Sequence, residues 1–254
     1  RIWRMTPHNA SQIMLRKYGM YTAFSYACHF GHKDVVELIL KYAVTKSIDL
    51  KSRNENGKTI LSLASFQGQT EVVKLLLLHS VTENMNLDVS PTDIFDVFTW
   101  ACRNGHGDIV QMLVDHYAEH IISYMPNAFK LACQTGNKDV AKALLDHLST
   151  NIDLNAKDFY GYTTLMRSCK NGHKDVVQML LNYSAHNIDL NARATSGATP
   201  IMMACNNGHK DVVKLLLDHP DPKIDLNARD YHGQTAYMAA CYNGHKDVVA
   251  SLLQ

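Results

Sequence analysis

The amino-acid sequence predicts an all-α solenoid of about seven stacked helix pairs, joined by hairpin-like turns. Three observations carry this prediction. A block reading G-x-T-x-x-x-x-A-C-x-x-G-H-x-D-V-V-x-x-L-L recurs along the chain, its second glycine at Gly31, Gly68, Gly105, Gly136, Gly172, Gly208 and Gly244, at intervals of 37, 37, 31, 36, 36 and 36 residues. Self-similarity at such a period marks a repeat architecture. Each block also holds two apolar stretches at helical spacing, one on either side of that glycine. Finally, one block cannot bury its own apolar face, so copies have to stack, and 254 residues suffice for a sizeable interior.

Within the block each element has a physical reason. A Thr nine residues before the glycine (Thr22, Thr59, Thr163, Thr199, Thr235) is placed to cap the first helix by accepting a bond from a free backbone N–H. In the two degenerate copies Asp96 and Asn127 hold that position and are expected to cap in the same way. The glycine ends the first helix, where a left-handed conformation costs least without a Cβ. Three residues later an acid (Asp34, Glu71, Asp108, Asp139, Asp175, Asp211, Asp247) falls in the first turn of the second helix and faces its positive end. Val-Val and Leu-Leu follow at helical spacing, as in Val212, Val213, Leu216 and Leu217. The connection to the next copy contains Ile-Asp-Leu-Asn-Ala-Arg/Lys at 152–157, 188–193 and 224–229, then Gly161, Gly197 or Gly233.

These residues resemble the ankyrin repeat, whose pattern is G-x-T-P-L-H-x-A-A-x-x-G-H followed by V-V-x-L-L-L. The resemblance covers about residues 19–254 and recurs seven times, most fully over Gly197-Ala198-Thr199-Pro200-Ile201-Met202-Met203-Ala204-Cys205. It divides the chain into an N-terminal cap or partial repeat (1–18), repeats at 19–50 and 51–88, degenerate repeats at 89–120 and 121–152, and repeats at 153–188, 189–224 and 225–254, the last truncated. The chain departs from the family in three ways. Thr199-Pro200-Ile201-Met202 lacks the His of T-P-L-H, so that inter-repeat hydrogen bond is not expected; the second Ala is usually Cys; and the period of 36 exceeds the usual ~33, which implies a longer loop after helix two. Met125 replaces the first glycine of the fourth copy, and a kink or altered stacking is expected between Asp115 and Met125.

Composition narrows the function classes. Lys and Arg number 25 against 24 Asp and Glu, a net charge of +1 that argues against a nucleic-acid binder and against polybasic attraction to a membrane. No run approaches the roughly 18 apolar residues of a spanning helix; the stretch around Val72 to Leu78 is broken by Lys74. The first residues are not expected to form a signal peptide. Arg1 stands where Met would start a chain and the last helix lacks a polar capping repeat, so a longer parent chain is expected. All six cysteines (Cys28, Cys102, Cys133, Cys169, Cys205, Cys241) share one template position, with Ser65 there in copy two. Equivalent positions in stacked helices lie about 8–10 Å apart, beyond the ~7 Å reach of a disulfide. They read as small buried hydrophobes in a reducing compartment, the cytoplasm or alternatively the nucleus.

Several sharper motifs coincide with residues of the repeat. Cys and His four apart recur (Cys28/His32, Cys102/His106, Cys169/His173, Cys205/His209, Cys241/His245), but zinc needs four converging ligands and a turn separates these two. His116-Tyr117-Ala118-Glu119-His120 matches the H-x-x-E-H string of inverted zinc peptidases and leaves a zinc hydrolase as a remote alternative; His116 is also the loop residue matching His79, His147 and His219. Gly57-Lys58-Thr59 echoes a phosphate-binding loop, yet Ser52 replaces its required first glycine. The strings Asn9-Ala10-Ser11 and Asn182-Tyr183-Ser184 are glycosylation signals only in a secreted chain. Asn155, Asn191 and Asn227 resemble the family position that an asparaginyl hydroxylase can modify; stabilising the turn is the better reading.

What remains is the surface. The most variable template positions are the hairpin tip and the end of helix one, which line the concave face in ankyrin proteins. Here they hold Tyr21, Phe30, Lys58, Phe66, Phe95, Arg103, Phe159, Tyr160, Tyr162, Lys170, Tyr231, His232 and Tyr242. Exposed aromatics with Arg are frequent anchors of protein interfaces, although some tips could instead pack on neighbouring hairpins. The expectation is a non-catalytic protein–protein interaction scaffold or adaptor, with no cofactor, metal, nucleic acid, membrane insertion or small-molecule substrate. The alternative is the targeting arm of a larger enzyme or of a ubiquitin-ligase adaptor.

Overall fold

The computed structural model describes residues 23–46, 58–82, 91–148, 152–183, 188–220 and 224–253. Among them the chain is all-α, with fourteen helices and no strand. In chain order these are α1 (Ala23–His29), α2 (Lys33–Lys46), α3 (Ile60–Phe66), α4 (Thr70–Thr82), α5 (Pro91–Asn104), α6 (Gly107–Ile121), α7 (Met125–Thr135), α8 (Lys138–Leu148), α9 (Thr164–Asn171), α10 (Lys174–Asn182), α11 (Pro200–Asn206), α12 (Lys210–Leu217), α13 (Ala236–Tyr242) and α14 (Lys246–Leu252). They fall into two compact units, Arg1–Ile122 and Ser123–Gln254.

Each unit has two helical layers. In the first unit, α1, α3 and α5 pack side by side in one layer and α2, α4 and α6 in the other. In the second, α7, α9, α11 and α13 form one layer and α8, α10, α12 and α14 the other. The apolar stripe of each second helix faces inward: Val212, Val213 and Leu216 are buried in α12, while Leu217 is only half-buried. Thr22 and the 1–18 segment lie outside the described residues.

Local structure follows the template wherever the template is intact. Thr59, Thr163 and Thr235 precede their helices in extended conformation, and their hydroxyls accept from the N–H of Ser62, Met166 and Met238. Thr199 has the same backbone shape, but its buried Oγ1 has no partner among the described residues. The glycines that end the first helices all have positive φ, from 71° at Gly68 and Gly244 to 81° at Gly136. All seven acids sit in the first turn of their helices as expected.

Two caps are corrected. Asp96 lies inside α5, which begins at Pro91, and Asn127 lies inside α7, which begins at Met125 and is preceded by Tyr124 without a side-chain cap. In both copies a proline (Pro91, Pro126) stands in the first turn, where its fixed φ suits a helix start and its missing N–H costs nothing. The helices therefore start before the Thr-equivalent position. The expected kink is present: Tyr117 in α6 has φ −136° and ψ 24°, outside helical values.

Five of the six cysteines are buried, as their shared position predicts, and all six are free thiols. Cys241 is exposed because no further helix packs on the outer side of α13 among the described residues. Burial pushes the thiols of Cys28, Cys102 and Cys205 up to about 12 and raises those of Cys133 and Cys169 as well.

Candidate functional site

In the second unit a cluster is built from the turn before α9. Asp158 Oδ1 accepts from the backbone N–H of Tyr160 (2.8 Å) and of Tyr162 (2.9 Å), and the turn closes through Asp158 N–H to the Tyr162 carbonyl (3.0 Å). Its Oδ2 accepts from Arg167 Nε at 2.8 Å and from Arg167 Nη2, so one carboxylate fixes both the turn and the guanidinium on α9. Partial burial on its own would raise the Asp158 carboxyl; the hydrogen bonds from Tyr162, Arg167 and Tyr160 and the Arg167 charge outweigh it and hold the carboxyl below its ordinary value. The Arg167 guanidinium carbon lies 4.5 Å from the Tyr162 ring centre and 5.4 Å from that of Tyr160. Lys170 Nζ is 5.2 Å from the Tyr162 ring, the two Tyr rings stack at 6.0 Å, and Phe159 meets Tyr160 edge-on at 5.6 Å. Planar guanidinium and aromatic rings held this way lose little freedom on contacting a partner.

Beside this cluster, across α9, α11 and α13, runs a cleft of about 190 Å³. Tyr162 and Lys170 line one part of it, Met203 and Ala198 the middle, and Asp230 and Gln234 another part. Met203 and Ala198 belong to an apolar cluster with Met166, Ala192, Ala194 and Tyr162.

The first unit holds a second cluster around Trp100. Phe66 meets Trp100 edge-on at 5.1 Å, and two cations flank the indole, Lys58 Nζ at 5.8 Å and the Arg103 guanidinium at 5.9 Å. Lys58 Nζ also pairs with Asp96 Oδ2 at 2.8 Å, which is the role Asp96 takes in place of a cap.

The remaining candidates are scattered. Phe30 is exposed and stacks on Tyr26 at 6.2 Å, Phe95 is half-buried in α5, and His232 and Tyr242 are exposed. Tyr231 is exposed at the tip, yet its ring covers Gly197, where an added Cβ would come within 2.9 Å of Tyr231 Cδ1. That tip does pack on the neighbouring hairpin. Tyr21 lies outside the described residues. Trp100 and Arg167 were missed from sequence. Both sit five residues before the template glycine, three before Arg103 and Lys170, and so share a helix face with those two candidates.

The template His and Asn act between repeats. The Nε2 of His106, His173, His209 and His245 bonds the carbonyl oxygens of Phe66 (3.3 Å), Gln134 (2.8 Å), Lys170 (3.0 Å) and Asn206 (3.1 Å) in the preceding repeat. A carbonyl oxygen only accepts, so Nε2 carries the proton. Each ring sits where a Cβ on the preceding glycine would be: added at Gly172, it would lie 2.5 Å from His209 Nδ1. Asn155 and Asn191 stabilise more than their own turns, for their Oδ1 atoms accept from Asp189 N–H and Asp225 N–H of the next repeat, both at 2.9 Å.

The zinc strings gain no support. The non-helical backbone of Tyr117 lies between His116 and His120, Glu119 pairs loosely with His120 at 3.9 Å, and among the described residues no three His, Cys, Asp or Glu side chains gather as a metal would need. Among the described residues no helix is long and apolar enough to cross a membrane. The family described as ankyrin repeats (3 copies) matches residues 7–93, 46–124, 98–194 and 185–254. No curated protein matches the chain.

Proposed function

The chain belongs to the ankyrin-repeat family, whose members are generally protein–protein interaction modules, and on that premise we propose that it is a non-catalytic scaffold that docks a partner protein on its hairpin tips and first-layer helices. The observation that carries this reading is the Asp158-organised cluster. Tyr160, Tyr162 and Arg167 are held in place before any partner arrives, by hydrogen bonds that are internal to the repeat. Interface energy concentrates in such aromatic and Arg anchors. The buried free thiols support a reducing compartment, the cytoplasm or nucleus.

The test is affinity capture from cell lysate with the chain and its Tyr160→Ala/Tyr162→Ala/Tyr242→Ala variant, read by mass spectrometry, with helicity checked by circular dichroism. A truncated anchor costs about 2 kcal/mol, so at least one protein retained by the parent should be lost from the variant at unchanged helicity. Equal recovery by both chains overturns the proposed face.

A further inference from the structure

We propose that the cleft across α9, α11 and α13 docks an extended segment of a partner protein carrying an acidic side chain, then an apolar one, then a basic one. This rests on the interaction reading above and specifies the ligand of its second-unit face.

The argument comes from how three consecutive repeats fill the same template positions. In the first of them, Asp158 is neutralised by Arg167, nine residues on. Beyond that pair Lys170 remains, its ammonium over the Tyr162 ring and without an acidic partner among the described residues. In the next repeat both members of the pair are replaced by apolar residues, Ala194 and Met203, and Ala198 stands where its neighbours carry Tyr162 and Gln234. The small side chain opens the cleft and Met203 forms an apolar floor. In the third repeat the acid returns as Asp230 while its partner position holds Ala239.

Asp230 Oδ1 accepts from the N–H of His232 (2.9 Å) and of Gln234 (2.8 Å), so the carboxylate is fixed in its turn. The adjacent Arg229 donates to the Gly233 carbonyl at 2.8 Å and Arg193 Nη2 to the Arg229 carbonyl, and neither guanidinium forms an ion pair with Asp230 among the described residues. Among the described residues the cleft therefore offers a cation without an ionic partner in one repeat, an apolar floor in the next and an anion without an ionic partner in the third.

Size selects the occupant. A cleft of about 190 Å³ is smaller than the ~300 Å³ at which small-molecule sites begin and leaves room for a few side chains of a segment lying across the three repeats. Lys170 lies in the first of these repeats and Asp230 in the third, and equivalent positions two repeats apart are about 16–20 Å from one another. At ~3.3 Å per residue an extended chain spans that distance in five or six residues.

The experiment is fluorescence anisotropy on the full chain with three fluorescein-labelled Gly/Ser peptides, each with a central Leu and two charged residues five apart: one Glu and one Lys, two Glu, or two Lys. The mixed peptide is expected to bind tightest, by about two- to fivefold per exposed charge pair. Lys170→Glu should move the preference to the two-Lys peptide. Asp230→Asn, which keeps the Oδ1 acceptor, should abolish discrimination between the mixed and two-Glu peptides. Absence of a preference in the parent chain, or a preference unchanged by both substitutions, overturns the proposal. A lysate partner lost from the tyrosine variant yet indifferent to Lys170→Glu and Asp230→Asn would remove the cleft while leaving the interaction module intact.

Discussion

Replacing Gly172 by Ala probes the contact that joins one repeat to the next. Gly172 has φ +76°, and a left-handed Ala costs about 1–2 kcal/mol. The new Cβ would also lie 2.5 Å from His209 Nδ1 and 2.6 Å from its Cε1. The ring has to leave, and with it goes the His209 bond to the Lys170 carbonyl, for about 0.5–1.5 kcal/mol more. The total is about 1.5–3.5 kcal/mol. Gly244 is the internal reference, since it has φ +71° and nothing within 4 Å of an added Cβ. Urea unfolding followed by circular dichroism should place the midpoint of Gly172→Ala below that of Gly244→Ala. In a double-mutant cycle with His209→Ala, the Gly172→Ala penalty should fall toward the Gly244 value, because the clash is gone. Equal penalties at Gly172 and Gly244, with no coupling to His209, would refute the reasoning.

Two further predictions concern titration and reactivity. The Asp158 carboxyl is held below its ordinary value, so its stabilising contribution is full above the unfolded carboxylate range and is lost as pH falls through the folded value. The stability gap between the parent chain and Asp158→Asn should be constant from neutrality to about pH 5 and close on further acidification; a gap that widens in acid contradicts the assignment. Cys241 is exposed and the other five thiols are buried, three of them pushed up to about 12. A thiol reagent at neutral pH should therefore label one cysteine quickly and five only on unfolding, and peptide mapping that finds Cys169 labelled as fast as Cys241 would contradict the packing.

What the sequence made legible were features that answer a local backbone need. The positive-φ glycines, the Thr caps and the first-turn acids each solve a problem within a few residues, and a repeated sequence displays the same solution several times. Asp96 and Asn127 misled because the cap reading relied on alignment, whereas Pro91 and Pro126 set the helix starts. The site was legible in part. Tyr160, Tyr162 and Lys170 stood out as variable surface positions, but Arg167 and Trp100 acquire their roles from partners that folding brings to them, such as the Tyr160 ring or Lys58. For His209 the sequence argues against a metal pair with Cys205, four residues away across a turn, but it does not disclose the partner in space, the Lys170 carbonyl 39 residues away.

The histidine over the glycine has one more consequence. The repeats at 153–188 and 189–224 are each both hook and eye: each offers a glycine, Gly172 or Gly208, to the repeat after it and reaches with its own histidine, His173 or His209, to the repeat before it. The fastening does not depend on which copy is which. Gly136, Gly172 and Gly208 face His173, His209 and His245 in the same way, and the glycines that define these copies are 36 residues apart. Excising 36 residues between equivalent points would bring His245 onto Gly172 with the fastening unbroken, and duplicating them would add one more link of the same kind. Gain or loss of whole repeats thus needs no new chemistry at the seam, so the length of the array is free to change in evolution while the face it presents is renewed copy by copy.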